Sequence, residues 1–389
     1  MFFKERFAFI LFLIFLAGFS LRPGITSIAP LLGDIQLQFA ANDTTLGLLT
    51  SIPVICMGLL SPLAHHLSIR MGMKSTLVFG FSLVALGELL RFQTSWVFVL
   101  LITALLVGIG DALIRPVLSG FIKQHSSQRS SVAIGWYAAS MGIGSACAAI
   151  FSTPISAALG GFEFGLAFWS LPTLFCIAAF IFGIKATERR KVNIASASGT
   201  SVGRTLIILL ILLFALQSGL NYAISAWLPQ WLLAQQKSQL VANQYTFLFI
   251  ITSTATSLLY PLFVRLLNNN AVYTVLLASL YLIFSAVCYL IHWPLLLSVI
   301  FISVSIGILF PLLLEMPLFL AKTPTEAIHI SGIIQAFGYV LGGTTPVIIG
   351  FATSHYGITT ALINTVAAMI LAIFITGIVL IKAITHYRY

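Results

Sequence analysis

The chain predicts an all-α polytopic membrane protein, twelve transmembrane helices in two six-helix bundles, and three observations carry that expectation. Its 389 residues are 59% hydrophobic and 7% charged, against the roughly 25% charged residues usual in soluble domains. Apolar runs long enough to cross ~30 Å of hydrocarbon recur along the whole length. Fifteen of the nineteen Lys and Arg fall in alternate gaps between those runs or at the ends, a bias that marks membrane spans and orients them.

In order, the spans are expected at 7–29, 45–64, 75–90, 96–118, 132–158 and 166–184, then at 205–228, 243–266, 272–291, 295–320, 329–353 and 359–381. One set of gaps and termini holds Lys4, Arg6, Arg70, Lys74, Lys123, Arg129, Lys185, Arg189, Arg190, Lys191, Arg204, Arg265, Lys322, Lys382 and Arg388, and the opposite set only Arg91 and Lys237. Positive charge stays on the side of synthesis, so both termini and the 185–204 loop are expected in the cytoplasm of a cell whose inner (plasma) membrane holds the protein. A cytoplasmic membrane face accounts for the formal charge of +10, and no nucleic-acid partner is needed. Lys4 and Arg6 before an apolar run resemble a signal peptide, but the run is too long for a signal core and reads as an uncleaved first span. Cys56, Cys147, Cys176 and Cys288 all fall in apolar segments and read as packing residues.

Sliding the chain by 199 positions superposes Pro30 on Pro229, Pro62 on Pro261, Gly108 on Gly307, Lys123 on Lys322 and Gly144 on Gly343. This points to a parallel repeat: a bundle at 1–184, a cytoplasmic linker at 185–203 with a small polar stretch, and a second bundle at 204–389. Even-numbered halves enter the membrane in the same orientation, and a ligand site is expected between them.

Function is read from what breaks the apolar pattern. Arg22, Asp111, Arg115 and Glu315 lie well within spans, where each costs ~2.5–3.5 kcal/mol if it faces lipid. By helical rise Arg22 and Asp111 fall near the middle, while Arg115 and Glu315 share a level ~10–12 Å from the cytoplasmic end. Two readings of Arg115 stay open. It meets Glu315 as a cytoplasmic gate, or it pairs with Asp111 one turn earlier on its own helix. Pro23 removes a backbone donor, so the Phe19 carbonyl loses its helical partner and a break with a cation forms beside it. That is either an anion site or an Arg22 satisfied by helix carbonyls or by Asp111. Asn221 stands at the repeat-equivalent place.

Polar and aromatic residues recur at the same central depth: Gln217, Tyr222 and Trp227 in span seven, Trp136 and Tyr137 in span five, Gln335 and Tyr339 one turn apart in span eleven. They suit the wall of a site for a small polar ligand, while any single Trp or Tyr among them reads first as a packing or interface residue. Glu88 and Arg91 read as a rim pair at the outer end of span three. No phosphate-binding loop is present, so energy must come from a gradient. His65 and His66 are adjacent and diverge on a helix, and no metal-ligand or paired-carboxylate pattern indicates an enzyme, a metal or a cofactor. A channel would more often show a filter repeat.

The stretch Leu21-Arg22-Pro23-Gly24-Ile25-Thr26-Ser27 with Pro30-Leu31-Leu32, then Trp227-Leu228-Pro229, Phe310-Pro311-Leu312, Glu326-Ala327, Ser331-Gly332, Gln335 and Gly338-Tyr339, resembles the major facilitator superfamily. Within it the chain is similar to the cyanate permease and 2-nitroimidazole transporter family, over nearly its whole length. The resemblance implies a secondary carrier of a small anion or polar heterocycle working by alternating access, with Arg22 as the ligand contact. It also implies the major facilitator fold, here expected to act as a monomer with lipid and a small-molecule substrate as its partners. In the loop after span two, Ile69 stands where the superfamily usually has an acidic residue, which weakens the expected ion-pair latch. Ala104 replaces the Arg of proton-driven drug antiport, and span five lacks the antiporter Gly-Pro pairing. A drug efflux carrier of broader specificity and a transport-inactive membrane sensor or scaffold remain the alternatives. If protons are coupled, Asp111 and Glu315 are the expected carboxylates.

Overall fold

The computed structural model describes residues 2–41, 43–184, 202–268 and 270–387, and no strand occurs among the described residues. Hydrocarbon offers no water to backbone N–H and C=O groups, so a spanning segment must satisfy them internally, as a helix does. Ten stretches among the described residues are long and apolar enough to cross a bilayer, eleven when the bent pair Thr45–Leu60 and Leu63–Met71 counts as one. One of them, Val97–Leu159, contains two 30-residue helices, Val97–Ser126 and Ser130–Leu159, joined by a single 3-10 turn at Ser127–Arg129. Each is ~45 Å long by rise, and counted separately they bring the total to the twelve spans expected.

The structure corrects the expected bounds in two places. Span two ends at Leu60 and turns by 66° into Leu63–Met71, because Pro62 cannot continue the hydrogen-bond ladder. Span eleven is Pro324–Gly343 followed by Thr345–Tyr356, with Pro346 in the first turn of the second piece, where a missing N–H costs nothing. Of the expected linker, 185–201 lies outside the described residues. The four cysteines are unpaired, and Cys56, Cys176 and Cys288 are buried. Phe98, Phe175, Phe182, Leu290 and Val347 are exposed, as the surface must be where acyl chains are the solvent.

The chain forms two compact units: Met1–Ser201 with Pro317–Ala336, and Val202–Met316 with Phe337–Tyr389. In the first, Lys123 Nζ donates to the Leu318 carbonyl at 2.6 Å, and the His65 and His329 rings pack with centroids 4.5 Å apart. Lys74 Nζ donates to the carbonyls of Ile181 (2.7 Å) and Ile184, a cation at the C-terminal end of Ser170–Gly183 where the helix dipole favours one.

The internal repeat recurs in the helix contacts. Span four meets span two at Gly108, where a Cβ would lie 2.7 Å from Pro53 Cα, and span ten meets span eight at Gly307, where one would lie 2.5 Å from the Ser253 carbonyl. Phe15 of span one packs edge-on against Trp136 of span five, centroids 5.8 Å apart, and its repeat equivalent Phe214 packs edge-on against Tyr339 of span eleven at 5.1 Å. Gly108→Val and Gly307→Val each overpack such a crossing, at a cost of about 1–3 kcal/mol. Each purified variant should therefore lose its monodisperse chromatographic peak several degrees below wild type in a thermal ramp. Wild-type behaviour in both would show that these crossings do not depend on a bare Cα.

Candidate functional site

Span one is broken at Arg22. The helix Phe2–Leu21 stops, a single turn Pro23–Thr26 follows, and Ala29–Leu31 continues as 3-10. The Arg22 carbonyl accepts from the N–H of Ile25 and of Thr26, each at 3.0 Å, and from Thr26 Oγ1 at 2.9 Å. The Phe19 carbonyl, which Pro23 cannot serve, lies against span five at Gly144, where a Cβ would come within 2.4 Å of it. The Arg22 side chain is part-buried, and its guanidinium makes no hydrogen bond or ion pair among the described residues.

Asp111, one of the partners considered for Arg22, is occupied. Both of its oxygens accept from Arg115, Oδ1 from Nε at 2.6 Å and Oδ2 from Nη2 at 2.8 Å, and the two side chains are 0% and 1% exposed. Arg115 Nη1 also reaches Met141 Sδ of span five at 3.5 Å. In the second unit, buried Glu315 accepts from Tyr260 Oη of span eight at 2.6 Å. Tyr260 was not singled out from the sequence, since a single Tyr in an apolar run gives no sign of its partner.

Glu88 and Arg91 are not the solvent-facing rim pair expected. Both are 0% exposed, and they form no ion pair with one another. Arg91 Nη2 donates to the Gly24 carbonyl at 2.7 Å and Nε to Thr103 Oγ1 at 3.3 Å. Glu88 Oε2 accepts from Thr173 Oγ1 of span six at 2.8 Å. The reason is covering: the span-one break and span six pack over this end of span three, and an unserved carbonyl competes for the guanidinium. Thr103 and Thr173, polar residues inside apolar runs, were the available signal.

The remaining residues divide by span. Trp136 sits beside Phe15, seven residues below Arg22 and so ~10 Å from it along the axis; it is 39% exposed. In span seven, continuous from Arg204 to Ala234, Gln217 is buried and its Oε1 accepts from Ser218 Oγ at 3.4 Å. Asn221 and Tyr222 are part-buried one turn further on. Gln335 and Tyr339 are both 2% exposed on Pro324–Gly343, and Gln335 Oε1 has no hydrogen-bond partner among the described residues. Trp227 Nε1 donates to the Pro346 carbonyl at 3.0 Å, a packing role.

A broken apolar span carrying a cation that is unpaired among the described residues is a feature that breaks the membrane pattern and so marks a functional position. The chain is 27% identical over 357 residues to the cyanate transport protein CynX of Escherichia coli, covering 89% of this chain and 90% of that one. It is 26% identical over 342 residues to the 2-nitroimidazole transporter of Escherichia coli, covering 85% and 84%. Among solved structures it is similar to the human organic anion transporter MFSD10, with a TM-score of 0.75 at 16% identity over 95% of this chain and 99% of that one. The Escherichia coli fucose:proton symporter FucP gives 0.73 at 15% identity over 97% and 99%. The Major Facilitator Superfamily model matches residues 9–344, and the chain belongs to that superfamily of multi-pass membrane transporters.

Proposed function

We propose that this chain is a secondary carrier for a small anionic or polar solute, of the size and chemistry of cyanate or a nitroimidazole, and that Arg22 is its charged ligand contact. The observation that carries this reading is the Arg22 guanidinium, unpaired among the described residues beside a helix break. A cation held inside an apolar span without a counter-ion is costly and is tolerated where a solvated path or a ligand meets it. Asp111 could have neutralised it and is instead occupied by Arg115. Similarity to a cyanate transport protein and a 2-nitroimidazole transporter points to the same ligand chemistry.

In this reading Trp136, Gln217, Asn221, Tyr222, Gln335 and Tyr339 supply amide and aromatic contacts. Asp111, Arg115 and Glu315 act in gating or proton coupling, with Tyr260 as the residue that orients Glu315. The units of movement are the two six-span halves, 1–184 and 204–389, and access alternates between the two sides of the membrane. The working protein in this reading is the single chain, with its termini on the cytoplasmic side of the plasma membrane, an orientation supported by the distribution of Lys and Arg.

Uptake by proteoliposomes, with cyanate, nitrate, small carboxylates and nitroimidazoles competing, tests the reading. Arg22→Ala removes a charge-assisted hydrogen bond and should weaken binding of the transported solute about 10- to 100-fold, while Arg22→Lys keeps part of it. Undiminished uptake by Arg22→Ala, or transport of bulky cations instead, would overturn it. Asp111→Asn removes the carboxylate from its bidentate pair with buried Arg115 and should destabilise the protein by about 3–5 kcal/mol; the swap Asp111→Arg with Arg115→Asp should recover part of that loss in thermal unfolding. Glu315→Gln should abolish accumulation driven by a pH gradient while solute exchange at equal pH persists. Retention of pH-driven accumulation would remove Glu315 from coupling.

A further inference from the structure

The Arg22–Pro23 break leaves Gly24 with a carbonyl that no backbone N–H takes. In a continuing helix the donor would be Ile28, yet the backbone bonds of this turn end with Ser27 N–H to the Pro23 carbonyl. Arg91 Nη2 occupies the Gly24 carbonyl instead. The same buried corner holds two charged-group atoms with no hydrogen-bond partner among the described residues, Arg91 Nη1 and Glu88 Oε1. Glu88 Oε1 lies against Gly24, 3.1 Å from where a Cβ on that residue would stand.

We propose that Glu88 and Arg91 are positioning residues for Arg22: Arg91 braces the break while Glu88 carries a proton and lets go of it when Glu88 is ionised. This rests on the reading of Arg22 as the ligand contact. A neutral Glu88 has no claim on the guanidinium three residues away, and Arg91 goes to the Gly24 carbonyl and Thr103, the arrangement seen here. An ionised Glu88 is a stronger acceptor than a carbonyl, because the attraction between full charges is little screened away from water. Arg91 then turns to Glu88, Gly24 loses its donor, and Arg22, two residues upstream, loses its fixed position. The proton passes between Glu88 Oε1 and water at the near end of Met73–Leu90, and no other bond changes.

The charged groups on the elements around Glu88 are few. Its own helix brings Lys74 at the opposite end, where the packed helix Leu63–Met71 carries His65, His66 and Arg70; the following turn brings Arg91, span one brings Arg22, and span four brings the Asp111–Arg115 pair, one and two turns beyond Val107. Span six brings Thr173 and, in Phe162–Ala167, Glu163, which accepts from Gln38 Nε2 at 3.1 Å. Span two within 45–60 and span five within 130–159 bring none.

Hydrogen–deuterium exchange of the full-length protein in lipid nanodiscs tests this without a ligand. The readout is protection of the amides of 25–32 across a pH series, referred to a span-ten peptide within 299–313. In wild type, protection of the break should fall about tenfold as pH rises, the loss of one charge-assisted hydrogen bond. Glu88→Gln should stay protected at every pH, Arg91→Gln should be unprotected at every pH, and Arg91→Lys should restore part of the wild-type course. Glu88→Gln following the wild-type pH course, or Arg91→Gln leaving the break as protected as wild type, would overturn the proposal. If Arg91→Gln also loses protection in span ten it has misfolded, and the Glu88→Gln course decides. Arg22→Ala should keep the pH course while losing uptake of cyanate and 2-nitroimidazole. Absent uptake in wild type would therefore count against the carrier reading alone.

Discussion

Backbone polar groups in hydrocarbon must find partners within the protein, and the rest of this structure follows from where that requirement is hardest to meet. Most spans meet it by being uninterrupted helices. Span one does not, because Pro23 withholds a donor from Phe19 and the turn that follows leaves Gly24 unserved. Arg91 reaches from the end of span three to serve the Gly24 carbonyl, while at Phe19 the bare Gly144 lets span five pack directly against the carbonyl. A buried arginine at the end of a span is thus explained by a carbonyl 67 positions earlier in the chain.

The same break separates the two halves of the repeat. Phe15 and Phe214 each pack edge-on against an aromatic ring on the fifth span of their own half, though at different positions of it, and Gly108 and Gly307 allow matching helix crossings. At the place where span one breaks and presents Arg22, span seven runs on from Arg204 to Ala234 and presents Asn221. A duplicated scaffold with one broken and one continuous helix thus carries a cation at this position in one copy and a neutral amide in the other.

Three intramembrane carboxyl groups meet three environments. Asp111 is held by both arms of Arg115, Glu315 by a tyrosine hydroxyl, and Glu88 by a threonine hydroxyl on one oxygen only. A bidentate ion pair gives each carboxylate oxygen a charged donor. Glu88, with one neutral donor on Oε2 and no hydrogen-bond partner on Oε1 among the described residues, is therefore chemically unlike Asp111 despite equal burial.

The twelve apolar runs, their orientation bias, the repeat and the charges at 22, 111, 115 and 315 were legible in the order of residues, because hydropathy and spacing along one helix are local properties. The Asp111–Arg115 pair belongs to this class too, since four residues on one helix fix the distance. The break at Arg22 was legible for the same reason, as proline chemistry acts on its own backbone. What only the tertiary structure decided is which distant group meets which. The partners Thr173 for Glu88, Gly24 for Arg91 and Tyr260 for Glu315 lie 85, 67 and 55 positions away. Burial of Glu88 and Arg91 depends on what packs over the end of span three, and no pattern within that span encodes its cover.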